Sequence, residues 1–325
     1  MHVDVPDLEV LVDPPGPPLF DAHRGVRYNR FLVAHSPDDE GGPEGPPLHG
    51  GAPNAQGGLT RRSEGPPLRG KCALITGSVR GLGLAAARRF AAAGCNLVMN
   101  GFDAGTDVDD LRRGIERDHG VRTMYSGADL RRPNEIEQMV SGGVDAFGAI
   151  DILVNNAVVR HTAPVDAFDP AAWDEGLAVN VSAAFHAIRL VIPAMKENRW
   201  GRIINVSSIY GLRGAEDRIG YVTSKTALIG MTRAVALETV ADGITCNAVC
   251  PGTSETPVHE AALASLVADG LTRSEAERRF FQGKQPTGRF IPADSVAALM
   301  VFLCGPDAAD ITGAALPIDG GWSIS

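Results

Sequence analysis

Cysteine is scarce in this chain, with five residues in 325: Cys72, Cys95, Cys246, Cys250 and Cys304. None forms a C-x-x-C pair, their number is odd, and no Cys/His cluster has metal-ligand spacing. That argues against a disulfide framework or a zinc site, and for reduced, buried thiols in a cytoplasmic protein. Positive charge is also short. Lys and Arg number 30 against 39 Asp and Glu, a formal net charge of −9. Such a balance speaks against nucleic acid or anionic membrane as a partner. No apolar stretch long enough to span a bilayer is free of charges, so no membrane span is expected. The first twelve residues carry Asp4, Asp7 and Glu9 and no basic start, unlike a leader peptide.

Composition breaks near residue 66. Twelve of the 22 prolines lie ahead of Leu68, and a short phrase recurs at Gly16-Pro17-Pro18-Leu19, Gly45-Pro46-Pro47-Leu48 and Gly65-Pro66-Pro67-Leu68. Residues 1–65 have little apolar surface to bury and are expected to be extended or disordered, with Tyr28, Phe31, Leu32 and Val33 as a patch that docks locally. Residues 66–325 are long enough for one α/β domain with a substantial core.

Within that domain, apolar runs of strand length alternate with helix-length amphipathic segments. The pattern predicts a Rossmann-like, doubly wound parallel sheet of about seven strands. Expected strands are 72–76, 96–100, 122–126, 150–155, 202–207, 245–250 and 314–318. Expected helices are 82–93, 107–118, 134–147, 171–197, 221–239 and 294–303. The pair Gly142-Gly143 counts against the third helix.

Thr76-Gly77-Ser78-Val79-Arg80-Gly81-Leu82-Gly83 follows the first strand and opens an Ala-rich helix. Gly77 permits a tight turn, Gly81 lets backbone approach a pyrophosphate, and Gly83 lets helix and sheet pack closely. The helix start then offers unpaired N–H groups and a positive dipole end to phosphate. A glycine turn alone is weak, but strand before and helix after make this one a dinucleotide site. An acidic residue ending the second strand would favour NAD; that place reads Asn100-Gly101-Phe102, with Asp103 just beyond. Arg80 meets a 2′-phosphate or is an exposed turn arginine. Asp129 contacts adenine or caps its turn.

Tyr221 and Lys225 lie four apart on one helix face. A free phenol, with a pKa of about 10, is a poor base at neutral pH, and a neighbouring ammonium stabilises phenolate. A phenol tuned in this way exchanges a proton while hydride moves at the carbinol carbon. Ser208 ends a strand thirteen residues earlier and can hydrogen-bond the same substrate oxygen. Asn180 sits mid-helix, where an amide has low propensity and points to a tertiary role.

These residues carry a resemblance. From about Leu68 to Trp322 the chain resembles the short-chain dehydrogenase/reductase family. The matching residues are the glycine loop Thr76 to Gly83, Asn180, Ser208, Tyr221 with Lys225, and Pro251-Gly252 after the sixth strand. The resemblance implies a nicotinamide cofactor held by Gly77, Ser78, Arg80, Gly81, Leu82, Gly83, Phe102, Asp129, Leu130, Asn156, Ala157, Pro251, Gly252 and Thr256, with Tyr221 and Lys225. It also implies a homo-oligomer, usually a tetramer. One departure stands out: the family's Asn-Asn-Ala-Gly reads Asn155-Asn156-Ala157-Val158, adding a side chain where backbone passes near the cofactor.

Closer phrases are similar to the D-3-hydroxybutyrate dehydrogenases: Asn100-Gly101-Phe102, Asn198 to Asn205, Lys284-Gln285-Pro286 and Asp319 to Trp322. That subgroup favours NAD over NADP. It implies a small 3-hydroxy acid substrate read by Arg160, Tyr210, Arg218 and Trp322, the first three standing where the subgroup has Gln, His and Lys. Arg218 suits a bidentate carboxylate contact; Trp322 also suits plain C-terminal packing. His161 and His259 flank the pocket as loop histidines. Two alternatives stand beside this reading: a reductase of 3-oxoacyl thioesters or other carbonyls, and an idle dinucleotide-binding scaffold whose Pro-rich segment recruits partners.

Overall fold

The computed structural model of the chain describes residues 66–102, 107–255 and 257–325. The expectations for residues 1–65, and those for Asp103 and Thr256, lie outside the described residues. Seven strands form one sheet: β1 Cys72–Ile75, β2 Asn96–Asn100, β3 Thr123–Ser126, β4 Ile152–Asn155, β5 Gly201–Val206, β6 Ile244–Pro251 and β7 Ala315–Ile318. All pairings are parallel and the order is β3-β2-β1-β4-β5-β6-β7. The chain leaves β1 toward β2 and β3 on one side and returns to β4 on the other. A crevice therefore opens at the carboxyl ends of β1 and β4.

The strands are apolar throughout because helices cover both faces. Successive residues of β1 alternate between two cores: Ala73 and Ile75 pack with Phe90 of α1 (Gly81–Ala92) and Met300 of α9 (Ala293–Cys304). Cys72 and Leu74 pack on the other face with Met139 of α3 (Pro133–Phe147) and Val191 of α5 (Ala183–Glu197). This is the two-residue strand period with both sides buried. All five cysteines are buried, and burial pushes the Cys246 thiol up to about 12.

Each expected strand is present, as is each expected helix but the fourth, with ends shifted by one or two residues. Helix α3 runs through Gly142-Gly143. A Cβ on Gly143 would lie 2.8 Å from side-chain atoms of both Ile150 and Val98, so the glycine sets how closely α3 approaches the sheet. The expected single helix 171–197 is instead α4 (Pro170–Leu177), a π-helical turn Ala178–Ser182, and α5. By length and hydropathy Pro170–Glu197 also passes as a membrane span, although it carries Asp174, Glu175, Arg189, Lys196 and Glu197, in keeping with the sequence reading. Its apolar content has a local cause, since Ala183, Ala184, Ala187, Ile188, Val191 and Met195 face the core.

Helix α2 is Val108–His119 and α6 is Ile219–Thr239; two further helices, α7 (Pro257–Ala268) and α8 (Arg273–Phe281), were not anticipated. Helix α8 is charged and shows no apolar stripe, but its start carries a legible signal. Thr272 and Glu275 form a capping box.

Gly143→Ala is expected to destabilise the protein by about 1–3 kcal/mol through overpacking. Gly142→Ala meets only the flexible Met124 methyl, and should cost less or be neutral. Denaturant midpoints of the two variants, compared with the parent, check the ranking.

Candidate active site

The crevice is built on one hydroxyl. Thr76, just past β1, accepts hydrogen bonds at its Oγ1 from the backbone N–H groups of Asn156 (2.9 Å) and Ala157 (3.0 Å), just past β4. The Asn156 amide donates back to the carbonyls of Thr76 (2.9 Å) and Gly77 (3.0 Å). The side chain of Asn156 thus ties two loops together. Gly77 turns at φ +64° and Gly81 at φ +55°, and the space where a Gly81 side chain would stand is open. A Cβ at Gly83 would collide with the Gly77 carbonyl oxygen and with Asn156 Nδ2. The N-cap of α1, Arg80, makes no side-chain capping bond, whereas Asp107 caps α2. The first N–H groups of α1 keep their capacity for an anion.

This loop borders a cavity of about 1040 Å³. Gly77, Arg80, Gly81, Leu82, Gly83 and Phe102 line one part, with Asp129, Leu130, Asn156 and Ala157 beside them and Pro251 and Gly252 opposite. Ser78 does not line it. Ser78 is fully buried and bound to Asn100, whose carbonyl accepts from both the Ser78 N–H (2.6 Å) and its hydroxyl (3.3 Å). Asn100 in turn donates to the carbonyls of Ser126 and Ala128, so its amide braces three strand ends. Asp129 caps its own turn, accepting from the Arg131 N–H at 3.0 Å. The Arg131 guanidinium holds its carboxyl down at about 2. Val158 is 36% exposed and faces the cavity. Among the described residues only Arg199 and Asp217 are non-glycines with positive φ, so Val158 sits there without backbone strain.

At the far end of the cavity stand Ser208, Tyr221 and Lys225. Tyr221 and Lys225 lie in the first turns of α6 and are buried, as is Ser208, which follows β5. The Lys225 Nζ donates to the Val206 carbonyl at 2.7 Å and lies 5.7 Å from the Tyr221 ring centroid. Burial by itself pushes the phenol up. The charges of Lys225 and Arg160 outweigh it, with hydrogen bonds from Ser208 and Arg160 adding to them, and the phenol titrates below its ordinary range. Burial likewise pushes the Lys225 ammonium below its usual range, against the pull of Tyr221.

Asn180 lies within the π-helical turn, with its side chain spent on the β4 loop. Its Oδ1 accepts from the Val159 N–H (2.9 Å) and its Nδ2 donates to the Val159 carbonyl (3.0 Å) and the Ser224 hydroxyl (3.3 Å). The wide turn carries this buried amide between α4 and α5.

The proposed substrate residues divide. Arg160 and Arg218 line the cavity; Tyr210 and Trp322 do not. Trp322 is buried and packs edge-on against Tyr210 at 5.4 Å, and Tyr210 meets the Tyr221 ring at 6.3 Å. The two aromatic rings back the catalytic tyrosine from behind. Trp322 thereby fits the packing alternative of its sequence reading, while Tyr210 is partly exposed and lies beside the cavity-lining Arg218. His161 pairs with Glu175 at 2.9 Å. His259 lines the cavity, is bound through Nδ1 to the Ser254 carbonyl and stacks on Phe290. Sequence reasoning left out Arg131 and read Asn100 only as part of the cofactor phrase. Arg131 binds Asp129 two residues away but also Glu175, and Asn100 reaches the Ser126 and Ala128 carbonyls, contacts that no local motif marks.

A glycine-cradled helix start and a Ser–Tyr–Lys group at opposite ends of one crevice are the parts of a dinucleotide-dependent oxidoreductase acting on an alcohol carbon. The short chain dehydrogenase family model matches residues 71–265, and the chain belongs to that family. It is 42% identical over 257 residues to the D-beta-hydroxybutyrate dehydrogenase of Cupriavidus necator, covering 78% of this chain and 98% of that protein. It is 40% identical to the Rhizobium meliloti protein of the same name, with the same coverage. The crystal structure of L-sorbose reductase from Gluconobacter frateurii, complexed with NADPH and L-sorbose, superposes with a TM-score of 0.74. It is 29% identical and covers 79% of this chain and 98% of that one.

The family's nicotinamide cofactor fits the crevice: the glycine cradle has no room for side chains at Gly83, and an uncapped helix start faces the cavity. When bound, the cofactor accepts or donates the hydride. The chain's own residues do the rest. In the roles that the family resemblance implies, Ser208 would hold the substrate oxygen, Tyr221 would take or give its proton, and the Lys225 charge would favour the phenolate. Tyr221→Phe is expected to lower kcat by about 10²–10⁴-fold while nicotinamide binding, measured by fluorescence titration, stays within about twofold of the parent. A variant retaining near-parent turnover would remove the acid–base role.

Proposed function

We propose that this enzyme interconverts a small 3-hydroxy acid of the 3-hydroxybutyrate type and its 3-oxo acid. The observation that carries the reading is Arg218. It lines the same cavity as the Ser208–Tyr221–Lys225 group, its guanidinium 5.8 Å from the Tyr210 ring, and among the described residues it forms no ion pair. A carboxylate there completes a charge-assisted contact and leaves the carbinol carbon over the acid–base group. The two hydroxybutyrate dehydrogenases at about 40% identity support the same substrate class.

NAD is the favoured cofactor, on the Asn100-Gly101-Phe102 phrase at the end of β2. Arg80, exposed at the cavity edge, is the group to take the 2′-phosphate of NADP. A cytoplasmic homotetramer completes the proposal. Helices α5 and α6 turn one face to the sheet yet leave Phe185 52% and Leu237 82% exposed, apolar surface suited to a second copy of the chain. Sedimentation of the full chain showing a monomer at all concentrations would remove the tetramer.

Arg218→Ala is expected to raise KM for a 3-hydroxy acid roughly tenfold or more, the worth of a hydrogen bond to a charged group. Turnover of an uncharged secondary alcohol should barely change. Equal losses on both substrates would make Arg218 a support of its loop and would move the substrate toward neutral ketones.

A further inference from the structure

We propose that Arg160 is a further catalytic residue, a second cation that holds the Tyr221 phenolate together with Lys225. The proposal deepens the acid–base reading above and rests on it.

The placement is specific. Arg160 follows β4, and its guanidinium carbon lies over the Tyr221 ring, 5.2 Å from its centroid. The chain just before it is clamped. The Asn180 amide grips both the N–H and the carbonyl of Val159, and also donates to Ser224, one turn along α6 from Tyr221. The residue before Arg160 and the helix that carries Tyr221 are therefore tied to one buried side chain.

Arg160 also lacks a carboxylate partner among the described residues. Glu175, on the same cavity wall, is taken by Arg131 and His161, and Asp129 by Arg131 and Arg132. Glu255 borders the cavity without an ion pair to Arg160. The other groups around the phenol are Lys225 on its own helix, Arg218 at the start of α6, and His259 on α7. Lys284, beyond α8, acts on both Arg218 and His259, and His259 also feels Arg160. Cys250, near Lys225, stays a neutral thiol because burial pushes it up to about 11. Phenolate is thus the anion that this cluster of cations can gather around.

In the oxidation direction the substrate hydroxyl gives its proton to the Tyr221 oxygen and the carbinol hydride goes to the nicotinamide cofactor. The C–O bond becomes a carbonyl. Arg160 transfers no proton; it stabilises the charge on the oxygen that does. Its effect strengthens as cofactor and substrate displace water from the cavity.

The test uses the full chain with cofactor bound, as Arg160→Gln and Arg160→Lys. Phenolate absorbance is titrated in the ultraviolet, each protein against its Tyr221→Phe counterpart, which isolates one of the four tyrosines. Arg160→Gln should raise the Tyr221 midpoint by roughly one pH unit or more, and Arg160→Lys should restore most of it. The acid limb of kcat should move by the same amount, a fall of about tenfold below the midpoint. An unmoved midpoint with a raised KM for hydroxy acids alone would overturn the proposal and make Arg160 a carboxylate ligand. The titration needs no turnover. Failure of every hydroxy acid as substrate would sink the proposed function, while the midpoints still decide the role of Arg160.

Discussion

The hydroxyl of Thr76 holds together the seam on which everything else depends. Parallel pairing of β1 with β4 brings two loops side by side, but past the bond from the Thr76 N–H to the Val154 carbonyl the loops need further ties. Thr76 and Asn156 supply them, exchanging hydrogen bonds across the gap in both directions. Buried polar groups left unpaired there would each cost about 1–3 kcal/mol. Satisfied, they fix the glycine turn relative to the β4 loop, so the phosphate end of the crevice and its chemical end keep one separation.

The chemical end is an electrostatic balance. Desolvation can shift a fully buried group by about 3–5 pH units against its charged form. A buried phenol would then be useless as a base. The site reverses that effect with cations and hydrogen bonds around a single oxygen, in surroundings that weaken screening. The same burial presses protons off Lys225, so the pair is poised by opposing effects. Tyr210 and Trp322 contribute by packing: they keep the Tyr221 ring in place and water away from its back.

Much of the fold was legible because its signals are local and periodic. Strand-length apolar runs, the glycine spacing after β1 and the Tyr221/Lys225 step each depend on residues close in sequence. The π turn was not legible. One added residue in a helical turn leaves no trace in an apolar pattern, and only the inward-facing Asn180 hints at it. Helix α8 was passed over because its charges hide the period, although its capping box is written in Thr272 and Glu275. Trp322 was read both as a pocket residue and as plain C-terminal packing; which side of Tyr210 it occupies depends on where α6 and the end of the chain meet.

By itself the sequence determined the parallel sheet, the cradle and the identity of the acid–base pair. In each, the physical cause acts over a turn of helix or a few strand residues. Tertiary structure decided which polar side chains face the cavity and which are spent on backbone. Ser78 and Asn156 carry motif positions yet serve the loops. Arg160, named from the sequence as a substrate residue, stands over the Tyr221 ring. Orientation of this kind depends on contacts among β4, α6 and the π turn, separated by tens of residues, and no local spacing encodes it.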